Sequence, residues 1–175
     1  MYDLIGDIHG HADALERLLA TLGYTRRRGC HRHPGRQVIF LGDFIDRGPK
    51  IRETLAIVRP MIESDAARAV MGNHELNALA FHTPDPDTPG EYLRPRNEKN
   101  CRQHAETMRQ LPADELRSTL RWFRTLPLWL DLDGLRAVHA CWFACVDWSV
   151  AKGGFLCAYR WDGEQTLDAG KFVWV

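Results

Sequence analysis

Gln37-Val38-Ile39-Phe40-Leu41, followed directly by Gly42-Asp43-Phe44-Ile45-Asp46-Arg47-Gly48-Pro49, is the stretch whose reading decides the fold. An apolar run rich in β-branched and aromatic side chains, bounded by Gly and Pro, reads as a buried strand and its loop. Beyond the loop, Ile51, Leu55 and Val58 recur at helical spacing, and Pro60 is expected to end or kink their helix. The chain before this unit has the same order. Tyr2 to Ile5 is an apolar run, Gly6-Asp7-Ile8-His9-Gly10 a polar turn, and Leu15, Leu18, Leu19 and Leu22 the face of a helix closed by Gly23. A basic loop with Arg26, Arg27, Arg28, Arg32 and Arg36 joins the two. A third, shorter unit follows, with Ala67 to Met71 as strand, Gly72-Asn73-His74 as turn and Glu75 to Phe81 as the start of a helix. Three successive β-loop-α units predict an α/β fold.

Thr83 to Gly90 holds Pro84, Pro86 and Pro89 with Asp85 and Asp87, a composition that cannot continue a helix and predicts an exposed loop. Asn97 to Gln110 and Asp114 to Leu126 then read as helices, the second burying Leu116, Leu120 and Phe123, with Trp122 also in the core. Asp133-Gly134 favours the positive φ angles of a two-residue turn, predicting a hairpin of Leu128 to Leu132 with Leu135 to Val138. His139 therefore stands where a strand ends. A second, less regular hairpin is expected about Asp162-Gly163, between Phe155 to Trp161 and Lys171 to Val175.

With 175 residues and 45% hydrophobic content, the chain is expected to make one packed domain. Lys plus Arg (23) balance Asp plus Glu (23), so no overall field draws it to nucleic acid or anionic lipid, and neither partner is expected. The Met1-Tyr2-Asp3 start and the lack of a long apolar run predict a cytoplasmic protein without a membrane span. Five scattered cysteines, with no Cys-x-x-Cys pair, fit reduced thiols in the core. Cys30-His31-Arg32-His33 lacks a fourth ligand and the spacing of a compact zinc finger.

In open α/β sheets, ligands bind at the carboxyl ends of the strands, which bring together residues far apart in sequence. Here those residues are Asp7 and His9, then Asp43, Asp46 and Arg47, then Asn73 and His74, and finally His139. Carboxylate, imidazole and amide donors together suit Mn, Fe or Zn, and the absence of thiolates argues against a structural zinc. A catalytic metal site is the expectation. His11, His82 and His104 have no motif around them and read as surface or helix residues.

Gly-Asp-Ile-His-Gly, Gly-Asp-Phe-Ile-Asp-Arg-Gly and Gly-Asn-His-Glu, in that order, resemble the signature of the calcineurin-like metallophosphoesterases, and most of all their phosphoprotein phosphatase branch. That branch includes Ser/Thr protein phosphatases and bacterial enzymes that cleave diadenosine tetraphosphate. The resemblance implies a sandwich of two mixed β-sheets flanked by helices. It also implies Asp7 and His9 on a first divalent metal, Asp43 bridging to a second, and Asn73 and His139 on that second ion. Mn is the expected metal, with Fe or Zn as alternatives. Two such ions about 3.5–4 Å apart share a hydroxide that attacks the phosphoryl group in line. His74 resembles the family's general acid, with Asp46 fixing its tautomer and keeping it protonated, and Arg47 offers a planar fork for two phosphate oxygens.

One part of the pattern breaks. Relatives in this branch carry a further metal-ligating His beyond the position of His139, yet the 36 residues after His139 contain none. The segment from Asp147 to Gly163 resembles the end of longer relatives, so a central block of the second sheet, between about Trp142 and Ala144, is expected to be absent by truncation or internal deletion. Two functions then compete: a metal-dependent phosphoesterase acting on a phosphorylated small molecule, nucleotide or phosphoprotein, and a non-catalytic remnant that binds metal or phosphate weakly. Oligomeric state is not legible.

Overall fold

The computed structural model describes residues 1–140 together with two strands at 148–151 and 154–157. Its centre is a three-stranded parallel sheet in the order β1 (Tyr2–Ile5), β4 (Gln37–Phe40), β5 (Ala67–Ala69). The register runs from Tyr2 opposite Gln37 to Ile5 opposite Phe40, and from Val38 opposite Ala67 to Phe40 opposite Ala69. Parallel neighbours need crossovers, and helices supply them. Helix α1 (Ala12–Thr21) lies between β1 and β4 in sequence, and α2 (Ile51–Glu63) between β4 and β5. Val38 and Phe40 pack with Leu15, Leu19, Leu55, Val58 and Met61 in one apolar cluster that also takes in Phe44, Trp122 and Phe123. Trp122 and Phe123 are thus core residues, as their spacing predicts.

Two helical expectations change in detail. The buried stripe of α1 is Ala12, Leu15 and Leu19, and Leu18, at the margin of the face expected from the spacing, is 41% exposed. Pro60 does not end α2, which continues to Glu63 with the Ser64 N–H bonded to the Pro60 carbonyl at 3.1 Å. A proline removes one donor, and the residue whose carbonyl that donor would serve, Ala56, is exposed and can bind water instead. The basic segment is not a plain loop either. It forms a small hairpin, β2 (Thr25–Arg27) with β3 (Cys30–Arg32), whose turn places Arg28 at φ 52° and Gly29 at φ 85°.

The remaining helices are α3 (Asn73–Phe81), α4 (Glu98–Gln110) and α5 (Ala113–Phe123). Strands β6 (Trp129–Leu132) and β7 (Leu135–Val138) pair antiparallel around Asp133-Gly134, of which only Gly134 takes a positive φ, 72°. A further antiparallel pair joins β8 (Trp148–Ala151), which was not foreseen from the sequence, to β9 (Gly154–Cys157), which overlaps the start of the strand expected at Phe155 to Trp161. The expected hairpin about Asp162-Gly163 lies outside the described residues. The fold is α/β, and instead of one extended second sheet the described residues contain these two-stranded pieces. The chain divides into two compact units, one of Met1–Leu79 with Glu98–His139 and a second that includes Ala80–Asn97. Within the second, the proline-rich loop is largely exposed and the Arg96 guanidinium lies over the Tyr92 ring, 3.4 Å from its centroid. No helix among the described residues is long and apolar enough to cross a membrane.

Candidate active site

Strands β1, β4 and β5 run parallel, so their carboxyl ends share one edge and the loops after them meet there. The His9 N–H donates to the Asp43 carbonyl (2.8 Å), and the Gly10 N–H to the Phe44 carbonyl (2.9 Å). The second and third loops touch backbone to backbone. A Cβ on Gly42 would lie 2.2 Å from the Gly72 nitrogen, and one on Gly72 would lie 2.3 Å from an Asp43 carboxylate oxygen, so neither position admits a side chain. Asp7, His9, Asp43, Asp46 and Arg47 all have positive φ, between 43° and 66°. Such backbone is costly for residues with a Cβ and persists where surrounding contacts over-determine it. Five strained residues, all among those singled out by the sequence, mark the edge where the loops converge.

Asp43 is the hub of the first cluster. It is 2% exposed, and its Oδ2 lies 3.4 Å from His9 Nε2, 3.6 Å from His139 Nε2 and 4.0 Å from His74 Nε2. His9 Nδ1 donates to the Ile45 carbonyl at 2.9 Å, which turns the lone pair of Nε2 toward Asp43 and toward Asp7 Oδ1, 4.0 Å away. That buried Nε2 has no hydrogen-bond partner among the described residues. Burial holds the His9 pKa below its usual range and favours the neutral imidazole that ligates metals. His139 repeats the arrangement: Nδ1 donates to the Leu41 carbonyl at 2.6 Å and Nε2 faces Asn73 Oδ1 at 2.9 Å. A lone pair facing an amide oxygen is repulsive unless a cation or a proton stands between them. Donor atoms of Asp7, Asp43 and His139 lie within 4.8 Å of one another, as do those of His9, Asp43 and His74. The residues fit divalent metal. Asp7 falls in the group with Asp43 and His139, and its Oδ1 is also 4.0 Å from His9 Nε2.

A second cluster surrounds Asp46, also 2% exposed. Its Oδ2 accepts from His74 Nδ1 at 2.6 Å, and its Oδ1 accepts from His104 Nδ1 at 2.9 Å and from the Thr107 hydroxyl at 2.5 Å. Burial alone would raise its pKa, but these bonds, led by His104 and then His74, hold the carboxyl well below its ordinary range. His74 Nε2 is left facing Arg47 Nη2 at 3.4 Å and Gln103 Nε2 at 3.5 Å. His104 is where sequence reasoning fell short, since it is 4% exposed and bonded to the site rather than a bystander. The usable signal was its spacing from Thr107, one helical turn away on the same face of α4.

Glu75 was also missed, having been read only as the start of a helix. It is fully buried, and its carboxylate accepts the N–H groups of Asp43 (2.7 Å), Phe44 (2.8 Å) and Gly72 (2.9 Å), fastening the second loop to the third. Burial, then the nearby Asp43 charge, push its pKa up from 4.5 to about 7 despite these three donors. Between those values the folded protein binds a proton that the unfolded chain has lost. Stability in metal-free buffer should therefore be full below the lower value and fall as pH rises through the upper one. Thermal unfolding followed across this range should show a steeper loss for the wild type than for Glu75→Gln; equal slopes would mean that Glu75 ionises normally.

A family model for the calcineurin-like phosphoesterases matches residues 2–172. The chain belongs to this family. Among curated relatives, the asymmetrical bis(5'-nucleosyl)-tetraphosphatase PrpE of Geobacillus sp. is 32% identical over 143 residues, covering 79% of this chain and 55% of the relative. The protein of the same name from Halalkalibacterium halodurans is 45% identical over 74 residues, covering 42% of this chain and 30% of the relative. This phosphoesterase-family chain thus spans 30% to 55% of the relatives' length in those matches. Among solved structures, the cold-active protein-tyrosine phosphatase of a psychrophilic Shewanella sp. has a similar fold, with a TM-score of 0.55 and 20% identity over 82% of this chain and 42% of that one.

Proposed function

We propose that the protein is a phosphoesterase dependent on two divalent metal ions, Mn by preference, that cleaves a P–O bond of a phosphate monoester or phosphoanhydride. One observation carries the reading: His9 Nε2 and His139 Nε2 turn their lone pairs toward Asp43 Oδ2 within 3.6 Å, because each ring spends its Nδ1 proton on a backbone carbonyl. Asp7, His9, Asp43, Asn73 and His139 would hold the metal. Divalent ions bound there supply charge neutralisation for the phosphoryl oxygens and an acidified water as nucleophile.

The chain's own residues do the rest. Arg47, exposed at the loop tip, binds phosphoryl oxygens through its planar fork, releasing His74 Nε2 as it does so. His74 Nε2, so freed, takes up a proton from solvent and passes it to the leaving oxygen, while Asp46 holds the opposite ring nitrogen and stabilises the charge of the protonated ring. The relatives named as tetraphosphatases favour a dinucleoside polyphosphate over a phosphoprotein as substrate, in keeping with the cytoplasmic location expected from the sequence. We take the chain as one domain lacking a block after about Trp142.

A second reading has one observation behind it: the 36 residues that follow His139 hold no histidine, so they supply no further imidazole to the second ion. On that reading the protein binds metal or phosphate weakly and turns nothing over. Metal-stripped protein titrated with Mn²⁺ should gain saturable hydrolysis of an aryl phosphate and of diadenosine tetraphosphate, and lose it again on chelation. Absence of turnover in folded, metal-loaded protein would leave the second reading standing.

A further inference from the structure

Helix α4 turns a strongly polar face to the Asp46–Arg47 loop. Besides the bonds from His104 and Thr107 to Asp46, the Thr107 hydroxyl accepts the Asp46 N–H at 3.0 Å. One turn further on, the Gln110 side chain donates to the Gly48 carbonyl (2.9 Å) and accepts the Ile51 N–H (2.7 Å). These contacts span the two residues, Asp46 and Arg47, whose φ angles of 66° and 64° need external support. They also fix how the carboxylate is shared. With Oδ1 occupied by His104 and Thr107, only Oδ2 is left for His74, so the ring of His74 has one favourable orientation and one tautomer.

We infer that His104, assisted by Thr107, is a positioning residue that aims the Asp46 carboxylate and through it the His74 ring. The inference rests on the proposed role of His74 as proton donor to the leaving group. It predicts a selective defect. Without His104, Asp46 can rotate, and His74 Nε2 wanders from the leaving oxygen while the metal-holding residues stay in place.

The test compares wild type, His104→Ala and His104→Asn, the last keeping a side-chain N–H in reach of Asp46, on a series of aryl phosphates at saturating Mn²⁺. For His104→Ala, kcat should fall about 10- to 100-fold on phenyl phosphate, the loss typical of removing a supporting hydrogen bond. On 2,4-dinitrophenyl phosphate, whose leaving group needs no proton, kcat should be nearly unchanged, and KM should hold throughout. His104→Asn should recover most of the loss. An equal loss across the series, a loss carried by KM, or an inert alanine variant would overturn the inference. Thr107→Val, which is isosteric, gives the same comparison should His104→Ala fail to fold. Proton NMR separates this from failure of the proposed reaction. A downfield His74 Nδ1–H resonance present in wild type and His104→Asn, and lost in His104→Ala, supports the positioning role even if no ester turns over; its persistence in His104→Ala overturns it.

Discussion

On the proposed two-metal function, Asp43→Asn is expected to lower turnover by about 10³-fold or more, since it would lose the charge that both ions share and with it on the order of 4 kcal/mol of transition-state stabilisation. The side chain stands at the centre of the cluster, with three histidine Nε2 atoms within 4.0 Å of its Oδ2. Asparagine keeps the shape and can still accept the His74 N–H that Asp43 Oδ1 accepts at 3.0 Å, so the third loop should stay in place. What it removes is the charge that would let two cations approach. Mn²⁺ affinity measured by calorimetry should fall along with kcat, while the circular dichroism spectrum stays that of the wild type. Retained activity at high Mn²⁺ would place the nucleophile's activation somewhere other than Asp43.

His74→Ala should cut kcat by about 10²- to 10⁴-fold on alkyl and phenyl phosphates, the usual worth of a general acid. The loss should shrink greatly on 2,4-dinitrophenyl phosphate. This second variant also decides what His74 is for. Its Nε2 lies close enough to His9 and Asp43 to count as a metal donor, yet it faces Arg47 and Gln103 while Nδ1 is tied to Asp46. An acid leaves Mn²⁺ affinity unchanged when removed and shows the leaving-group dependence. A ligand weakens Mn²⁺ binding and loses activity equally on every ester.

Much of the fold was legible because its signals are local. A strand, its polar loop and the following helix are set by neighbouring residues, and β1 falls at Tyr2–Ile5 as read from the sequence. Where local signals compete, the sequence misleads: Leu18 has the spacing of a core residue but loses its place to Ala12 and Leu19, and Pro60 is a helix breaker that α2 absorbs. The basic hairpin β2–β3 was missed because its strands are only three residues each and mostly exposed, with no alternation to reveal them.

The sequence by itself determined which chemistry the chain carries: carboxylate, imidazole, amide and guanidinium each set immediately after a strand, and glycines where the loops must touch. Those features repeat at short range and leave a pattern that can be read. Tertiary structure alone decided how the groups are used. It brought the His139 ring to the Leu41 carbonyl, 98 positions away, set His104 and Thr107 of α4 around Asp46, and buried Glu75 beneath three N–H groups of two loops. The reason is physical: the tautomer of a histidine and the orientation of a carboxylate depend on partners brought near by packing, and separation along the chain carries no trace of them.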